Sequence, residues 1–307
     1  MKQALRLVIL LACVWPVVPA ASPDQGVLSG QNLDLQLEYR ALQPGDVIKI
    51  KLLGKVPIKK AHLRFSGEKS MLWEDERTGE FLAFLGLDLN IQPGNFPLVV
   101  TAQMGDGTLD TVRKEILVTS KEFPIERLRV EEKFVTPPAE VLERIRLEAE
   151  LTRSIYAGRS PDWLGEGGFV LPTDGRVNPN FGRRRIFNDQ PRSPHSGVDI
   201  SSAHGTPVKA SNSGRVVLAH GLYYAGNTVV IDHGYGLMSL SGHLSSIEVA
   251  EGDVVERGRI IGRSGTTGLA GGDHLHLEIF VHGQSVDPLQ WLDAHWIDNN
   301  ITSKLKF

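Results

Sequence analysis

Two histidines lie two residues apart in a stretch that alternates polar and apolar residues, His274-Leu275-His276-Leu277-Glu278-Ile279-Phe280. Successive side chains of a β-strand point to opposite faces, so an extended chain puts His274, His276 and Glu278 on one face. Two imidazoles that point the same way are candidate ligands of a metal ion. The same pattern also fits two half-buried polar residues of a sheet, so this pair alone does not establish a metal site.

A histidine and an aspartate stand four residues apart in His195-Ser196-Gly197-Val198-Asp199. This spacing puts both side chains on one face of either a helix or a strand, and Gly197 with the β-branched Val198 favours the strand. Imidazole plus carboxylate is a common zinc pair. One further histidine would complete a three-ligand site that leaves the fourth tetrahedral position for water, as metal-dependent catalysis requires.

His243 is a further candidate, within Ser241-Gly242-His243-Leu244-Ser245 at what the pattern predicts to be a strand end. Its side chain handles protons near neutral pH. The residues alone leave open which histidines bind metal and which transfer protons.

The segment that must position these residues, from about Phe169 to Leu292, is rich in glycine and in short β-prone runs. Glycines at such positions punctuate turns between strands. The segment holds eight of the ten histidines, which makes it the candidate catalytic domain. Strands are predicted at Val216–Leu218, Thr228–Ile231, Ile260–Gly262 and His274–Val281. Four histidines adjoin a glycine, which predicts turns rather than catalytic roles: His204, His220, His233 and His282.

Residues 28–119 also show short β-prone runs between turn signals, as in Asp46–Leu52 after Pro44-Gly45. The pattern predicts a small β-sandwich. No His, Asp or Glu cluster at ligand spacing occurs there, so we interpret this region as an accessory domain.

A helix is predicted between the two β regions, from Ala139 to Tyr156, after the start signal Thr136-Pro137-Pro138. The many charges of this helix indicate a solvated face on a connector rather than a binding surface. Its apolar face is predicted to hold Val141, Leu142, Ile145, Ala149 and Ile155.

The chain begins with two basic residues, Lys2 and Arg6. A short apolar run, Leu7–Val18, follows them and is itself followed by small residues. This pattern predicts a signal peptide over residues 1–21 and export to the periplasm or cell envelope. Retention as an anchor is less favoured, because the run is shorter than the roughly 20 residues that span a bilayer. Cys13 is the single cysteine, so the mature chain cannot be a cysteine hydrolase or build a thiolate zinc site.

The formal net charge of -3 gives no basic footprint for nucleic acid, and we expect no such partner.

The order of the three motifs resembles the lysostaphin-type peptidases of family M23: His-x-x-x-Asp, a lone His-Leu-Ser, and a glycine-rich stretch that ends in His-Leu-His-x-Glu. The resemblance runs from roughly Gly182 to Leu292 and includes Gly205–Val208, Val254–Gly258 and a closing Asp287-Pro288. The upstream region, with Pro93–Leu98, is similar to the Ig-like domain that precedes some of these peptidases.

This resemblance implies a zinc ion bound by His195, Asp199 and His276, with His243 and His274 as catalytic residues beside the metal. It implies hydrolysis of peptide cross-links or stem peptides of bacterial peptidoglycan by a metal-activated water. It also suggests cell-wall or division proteins as partners. The oligomeric state does not follow from it.

The resemblance also implies the fold class: mainly β, with an Ig-like β-sandwich, a helical connector and an antiparallel β-sheet peptidase domain of the lysostaphin type. The expected domains are a signal peptide (1–21), the Ig-like sandwich (27–120), a linker with a helix (121–165), the zinc metallopeptidase domain (166–295) and a tail (296–307).

Ser241 departs from the family pattern, and a run of three arginines lies close to the first motif. Ser241 stands where many relatives have tyrosine, which affects substrate subsites more than chemistry. Arg183-Arg184-Arg185 is interpreted as a basic surface turn rather than as a contact with an anionic substrate.

Two other classes of protein are open to test. A catalytically silent wall-binding protein or amidase activator would be expected if zinc ligands were missing, but all five key residues are present. A lipoyl- or biotin-carrier-like sandwich would fit Val254–Gly262, but carriers need a lysine at a hairpin tip and the region has no Met-Lys pair.

Overall fold

The structure is a computed structural model that describes residues 27–297, except for residues 76, 77 and 159. The predicted signal peptide, with Cys13, lies outside the described residues, as does most of the predicted tail. Among the helices of the described part, none is long and apolar enough to cross a membrane.

Eight antiparallel strands form the N-terminal sheet in the order β1-β2-β3-β6-β5-β4-β7-β8. The sheet curls around one apolar core, and the backbone N–H of Asn32 donates to Asp110 Oδ2 at 2.9 Å, which ties the β1–β2 turn to the last strand. The strands are β1 (Leu28–Ser29), β2 (Leu33–Tyr39), β3 (Val47–Gly54), β4 (Ile58–Phe65), β5 (Glu68–Asp75), β6 (Glu80–Gly86), β7 (Gly94–Met104) and β8 (Leu109–Val118).

The connector holds β9 (Ile125–Leu128), α1 (Glu132–Val135) and α2 (Ala139–Tyr156). The last of these spans the predicted helix. Its apolar face is narrower than predicted, because Val141, Ile145 and Ile155 are half-buried whereas Leu142 and Ala149 are exposed. The buried stripe follows residues three and four apart, and these two lie beside that stripe.

The C-terminal region is built on a second antiparallel sheet, in the order β10-β13-β21-β17-β16-β15-β19, with β22 beside β21. Two three-stranded sheets flank it, β12-β11-β9 and β14-β20-β18. The elements are β10 (Arg176–Asn178), β11 (Arg184–Phe187), β12 (Gln190–Pro191), β13 (Val198–Ser201), β14 (Pro207–Lys209), β15 (Gly214–Leu222), β16 (Gly226–Gly234), β17 (Leu237–Leu244), β18 (Ser246–Ile247), β19 (Val254–Val255), β20 (Ile260–Arg263), β21 (His274–Val281), β22 (Gln284–Val286), α3 (Pro288–Leu292) and α4 (Ala294–Ile297).

The predicted mainly β fold, with antiparallel sheets in both regions, is confirmed. The region predicted as a linker contributes β9, which pairs in parallel with β11. The sequence analysis did not predict β9.

The prediction of turns at glycine-flanked histidines is right for His204 and His282 and wrong for His220 and His233, which lie in β15 and β16. The glycine after each of the latter two belongs to the strand itself. His233 is a core residue, bonded at 2.8 Å to both Ser213 O and Ser239 Oγ, and burial lowers its pKa to about 4.

The two β regions pack against each other through an aromatic cluster. Phe84 of β6 contacts Trp291 of α3 with ring centroids 5.5 Å apart, and both rings are buried. Arg40 adds ion pairs to Asp46 at 3.0 Å and to Asp287 at 3.1 Å. The N-terminal sheet is therefore docked on the region that holds the histidines.

Candidate metal centre and its cleft

The central strand β21 brings the first two motifs together. It lies between β13 and β17, and its His276 is the register partner of Asp199 on one side and of Gly242 on the other. Directly opposed residues of antiparallel strands have Cβ atoms about 5 Å apart. The alternate residues Leu275 and Leu277 point into a fully buried apolar core, which fixes the polar side chains on the opposite face.

Three donor atoms meet at one point above this face: His195 Nε2, Asp199 Oδ1 and His276 Nδ1. The two ring nitrogens are 3.0 Å apart. The carboxylate oxygen lies 2.9 Å from the His276 nitrogen and 3.3 Å from the His195 nitrogen. The donor atoms of the three predicted metal ligands thus all lie within 3.3 Å of one another.

Hydrogen bonds on the far side of each ring fix which nitrogen is free. His195 Nδ1 donates to Asn180 O at 3.1 Å, since a carbonyl oxygen only accepts. His276 Nε2 likewise donates to Glu278 Oε1 at 2.8 Å. In the neutral rings, the lone pairs of His195 Nε2 and His276 Nδ1 therefore both face Asp199 Oδ1. All three of these converging atoms are acceptors, as metal ligands must be.

The electrostatics of the site favour a cation. Burial disfavours the charged form of His276, but bonds to Asp199 and Glu278 outweigh it and raise its pKa to about 9. Burial would raise the pKa of Asp199, and its bonds to His195 and His276 outweigh that effect and hold the pKa well below its usual range. The carboxylates therefore make this point attractive to positive charge.

The residues fit zinc. Tetrahedral zinc with nitrogen and oxygen ligands at about 2.0–2.2 Å separates its donor atoms by about 3.3 Å. The three observed separations, 2.9, 3.0 and 3.3 Å, are close to that spacing. Two imidazoles and one carboxylate form a known catalytic zinc set that leaves a fourth position open.

His243 is aimed at the site by a backbone irregularity. In the pairing of β16 with β17, Thr228 stands opposite both Gly242 and His243, because Asn227 pairs with Leu244 and Val229 with Ser241. Such a bulge redirects side chains. The φ of His243 is +60°, a left-handed conformation that non-glycine residues rarely adopt.

The rings of His243 and His274 stand together beside the three donors, with centroids 4.8 Å apart. His243 Nδ1 donates to Thr267 O and His274 Nδ1 donates to Gly272 O, each at 2.8 Å. Each Nε2 is therefore an acceptor in the neutral ring. Burial and the neighbouring His276 and His274 lower the pKa of His243 to about 3, so this ring is neutral at pH 7.

Two supporting residues were missed in the sequence. Asn180 Nδ2 donates to Asp199 Oδ2 at 2.7 Å, and Asn180 Oδ1 accepts the Asp199 backbone N–H at 3.1 Å. Ser196 Oγ donates to Glu278 Oε1 at 2.6 Å. Ser196 could have been recognised as a candidate, because it directly follows His195 in the sequence. Nothing in the sequence around Asn180 pointed to its role.

The cleft around these residues has two walls joined by α1. One wall is the β11–β12 hairpin, where Arg192 Nη2 donates to Val135 O at 2.6 Å. The other is the β15–β16 turn, where the Tyr223 hydroxyl donates to Lys133 O at 2.7 Å. Phe134 anchors α1 to this second wall, with its ring centroid 5.5 Å from that of Tyr223. The connector is therefore part of the cleft.

The antiparallel sheet is the fold that the resemblance to the lysostaphin-type peptidases implied. The profile of peptidase family M23 matches residues 193–288, so this part of the chain is a peptidase M23 domain.

Peptidoglycan DD-endopeptidase ShyA of Vibrio cholerae is 44% identical over 138 residues, which are 44% of this chain and 32% of that protein. Murein hydrolase activator EnvC of Escherichia coli is 43% identical over 96 residues, 31% of this chain and 23% of that protein. The chain thus spans about a third or less of the length of these curated relatives.

Among solved structures, a peptidase M23 from Pseudomonas aeruginosa has a TM-score of 0.62 at 28% identity and covers 82% of this chain and 96% of its own. The 82% of this chain that aligns is longer than the region from Phe169 onward, so the structural likeness extends to the N-terminal sheet.

Proposed function

We propose that this chain is a zinc-dependent endopeptidase that hydrolyses peptide cross-links or stem peptides of bacterial peptidoglycan. The observation that carries the proposal is the convergence of His195 Nε2, Asp199 Oδ1 and His276 Nδ1, with His243 and His274 beside them. The names of relatives such as ShyA support peptidoglycan as the substrate and a bond between two D-centres as the point of cleavage.

The chain's own residues supply the remaining chemistry. A bound zinc ion supplies Lewis acidity, which polarises a carbonyl and makes water a nucleophile at neutral pH. The Nε2 atom of either His243 or His274 accepts one proton from the attacking water, and the imidazolium that forms returns that proton to the leaving amine. Asn180 holds the carboxylate of Asp199 in place, and Glu278 holds the ring of His276.

The bond that is cut is determined by incubating the purified mature chain with isolated peptidoglycan and identifying the released muropeptides by mass spectrometry. We expect cross-linked dimers to be converted to monomers, in a reaction that a chelator stops. Release of fragments by the chelated protein at an undiminished rate would contradict the proposal.

A second candidate, suggested by the similarity to EnvC, is an activator of wall amidases or a wall-binding protein without catalysis. It predicts that the zinc-loaded chain releases nothing alone and stimulates an added amidase. The complete set of His195, Asp199, His243, His274 and His276 favours the enzyme.

We further propose that the chain is exported to the periplasm or cell envelope, on the pattern of residues 1–21. N-terminal sequencing of the protein from the periplasmic fraction is expected to show cleavage near Ala21. An intact N-terminus in the membrane fraction would instead show an anchor.

A further inference from the structure

The three consecutive arginines before His195 have different surroundings. Arg183 pairs with Glu126 at 3.0 Å, and Arg184 is exposed. Arg185 is half-buried, and its Nε is shielded from solvent without a hydrogen-bond partner. Within the described part of the chain, we find no hydrogen bond or ion pair that satisfies its guanidinium. The remaining donors of this guanidinium, on Nη1 and Nη2, are available to an external acceptor.

Arg185 lies close to the candidate metal ligands and also borders a second cleft. Its guanidinium sits over the Phe187 ring at 5.8 Å, and the carboxylates of Asp199 and Glu278 are near enough to act on its charge. It also lines a cleft of about 780 Å³ between the N-terminal sheet and the β11–β12 hairpin. Lys121, Arg184 and Arg192 line this cleft too, and Glu122 is the one acidic residue among its lining residues.

The local charges leave Arg185 uncompensated once the metal site is filled. Asp199 and Glu278 both bond to His276, so their two negative charges would offset those of a bound zinc ion, while Glu126 is paired with Arg183. The half-buried guanidinium then carries a net positive charge at the edge of the cleft that Arg185 lines. Such a group selects an anion, and the planar fork of arginine matches a carboxylate in particular.

We propose that Arg185 binds a free carboxylate of the substrate, the one carried by the D-centre on the amine side of the scissile amide. This inference rests on the proposed function. A cross-link between two D-centres leaves the α-carboxylate of the amine-side centre free, next to the bond to be cut. Its recognition would hold that bond at the metal site and select D,D cross-links over bonds without a neighbouring carboxylate.

The test compares three cross-linked stem-peptide dimers with wild type, Arg185→Gln and Arg185→Lys. The first dimer keeps all carboxylates, the second has the carboxylate beside the scissile bond as carboxamide, and the third has only a remote stem carboxylate amidated. We expect Arg185→Gln to lower kcat/KM by about 10- to 100-fold on the first and third dimers and to change nothing on the second. Arg185→Lys should recover part of the loss, because it keeps the charge without the fork.

The control is Arg127→Gln, which removes the same charge from the exposed part of the neighbouring strand β9. Melting temperature and zinc content, measured for every variant, separate substrate recognition from misfolding. An equal loss on all three dimers would show a structural role for Arg185 and overturn the inference. Sensitivity to the remote carboxylate alone would overturn the assigned position of the anion.

A binding measurement keeps the inference separate from the proposed function. Titration calorimetry with acetyl-D-alanyl-D-alanine and its carboxamide uses the zinc-loaded chain and requires no cross-link cleavage. Tighter binding of the carboxylate by wild type than by Arg185→Gln supports the inference even if no dimer is cleaved, in which case the endopeptidase proposal fails alone. Equal binding of both ligands by both proteins refutes the role of Arg185.

Discussion

His243 combines an unfavourable backbone conformation with a side chain that lies beside the candidate metal ligands. Left-handed φ for a residue other than glycine or asparagine costs on the order of 1 kcal/mol, and such strain gathers at functional sites. Asparagine tolerates this conformation. We therefore expect His243→Asn to leave the free energy of unfolding unchanged or raise it by up to about 1 kcal/mol, while hydrolysis falls by about 100-fold or more.

Thermal unfolding and muropeptide release check this expectation, with the exposed His220→Asn as the matched control. Near-normal turnover of zinc-loaded His243→Asn would remove His243 from the mechanism. A large loss of stability would show that its conformation is not strained.

Asn180 is the residue that orients Asp199, through two hydrogen bonds. Removing such outer partners of a metal ligand costs about 10- to 100-fold in metal affinity. We expect Asn180→Ala to weaken zinc binding by that amount in a chelator competition assay. Asn178→Ala, two residues earlier, should bind zinc like the wild type, and equal affinities for all three proteins would contradict the role of Asn180.

The sequence indicated candidate metal ligands because their signals are local: alternation around His274 and His276, and the four-residue spacing of His195 and Asp199. The choice of His195, Asp199 and His276 as the ligands came from the resemblance to the M23 peptidases and stays a prediction. Asn180 and Arg185 carry no such signal. Whether an asparagine meets a carboxylate, or an arginine lacks a partner, depends on strands distant in sequence. The interpretation of Arg183-Arg184-Arg185 as a basic surface turn is wrong for Arg184 and Arg185, which lie in the strand β11, and Arg185 is half-buried.

Among the elements, the helix α1 connects the β11–β12 hairpin to the β15–β16 turn. Phe134 packs on Tyr223 of that turn and holds α1 in place. Truncating this buried ring removes the main apolar contact of a four-residue helix. We expect Phe134→Ala to widen the cleft and increase cleavage of whole sacculi several-fold relative to cleavage of a short soluble dimer.

The measurement is the ratio of the two rates, with Leu142→Ala on the exposed side of α2 as the control. An unchanged ratio would show that α1 does not limit access.

The elements themselves were predicted unevenly. Helix α2 follows from its proline start signal and periodicity, and β21 from strict alternation. The strand β9 and the helix α1 are too short to carry a period, and tertiary contacts with the β11–β12 hairpin and Tyr223 support them.

At the scale of the molecule, the aromatic cluster between the two β regions predicts joint unfolding. Phe84→Ala removes a buried ring that contacts Trp291, at a cost of about 3–5 kcal/mol. Scanning calorimetry is expected to show one transition for the wild type and a lower melting temperature for the variant. Leu109→Ala, at a largely exposed position, should leave the transition in place. Two separate wild-type transitions would show that the regions are thermodynamically independent.

The most direct test of the central claim joins zinc content to hydrolysis in one experiment. Wild type, His276→Ala and the control His220→Ala are stripped of metal, titrated with zinc and assayed on isolated peptidoglycan at each step. The account predicts that hydrolysis by wild type and His220→Ala rises with zinc to saturation at about one ion per chain, whereas His276→Ala neither retains zinc nor releases muropeptides. Full hydrolysis by metal-free wild type, or by His276→Ala, would contradict it.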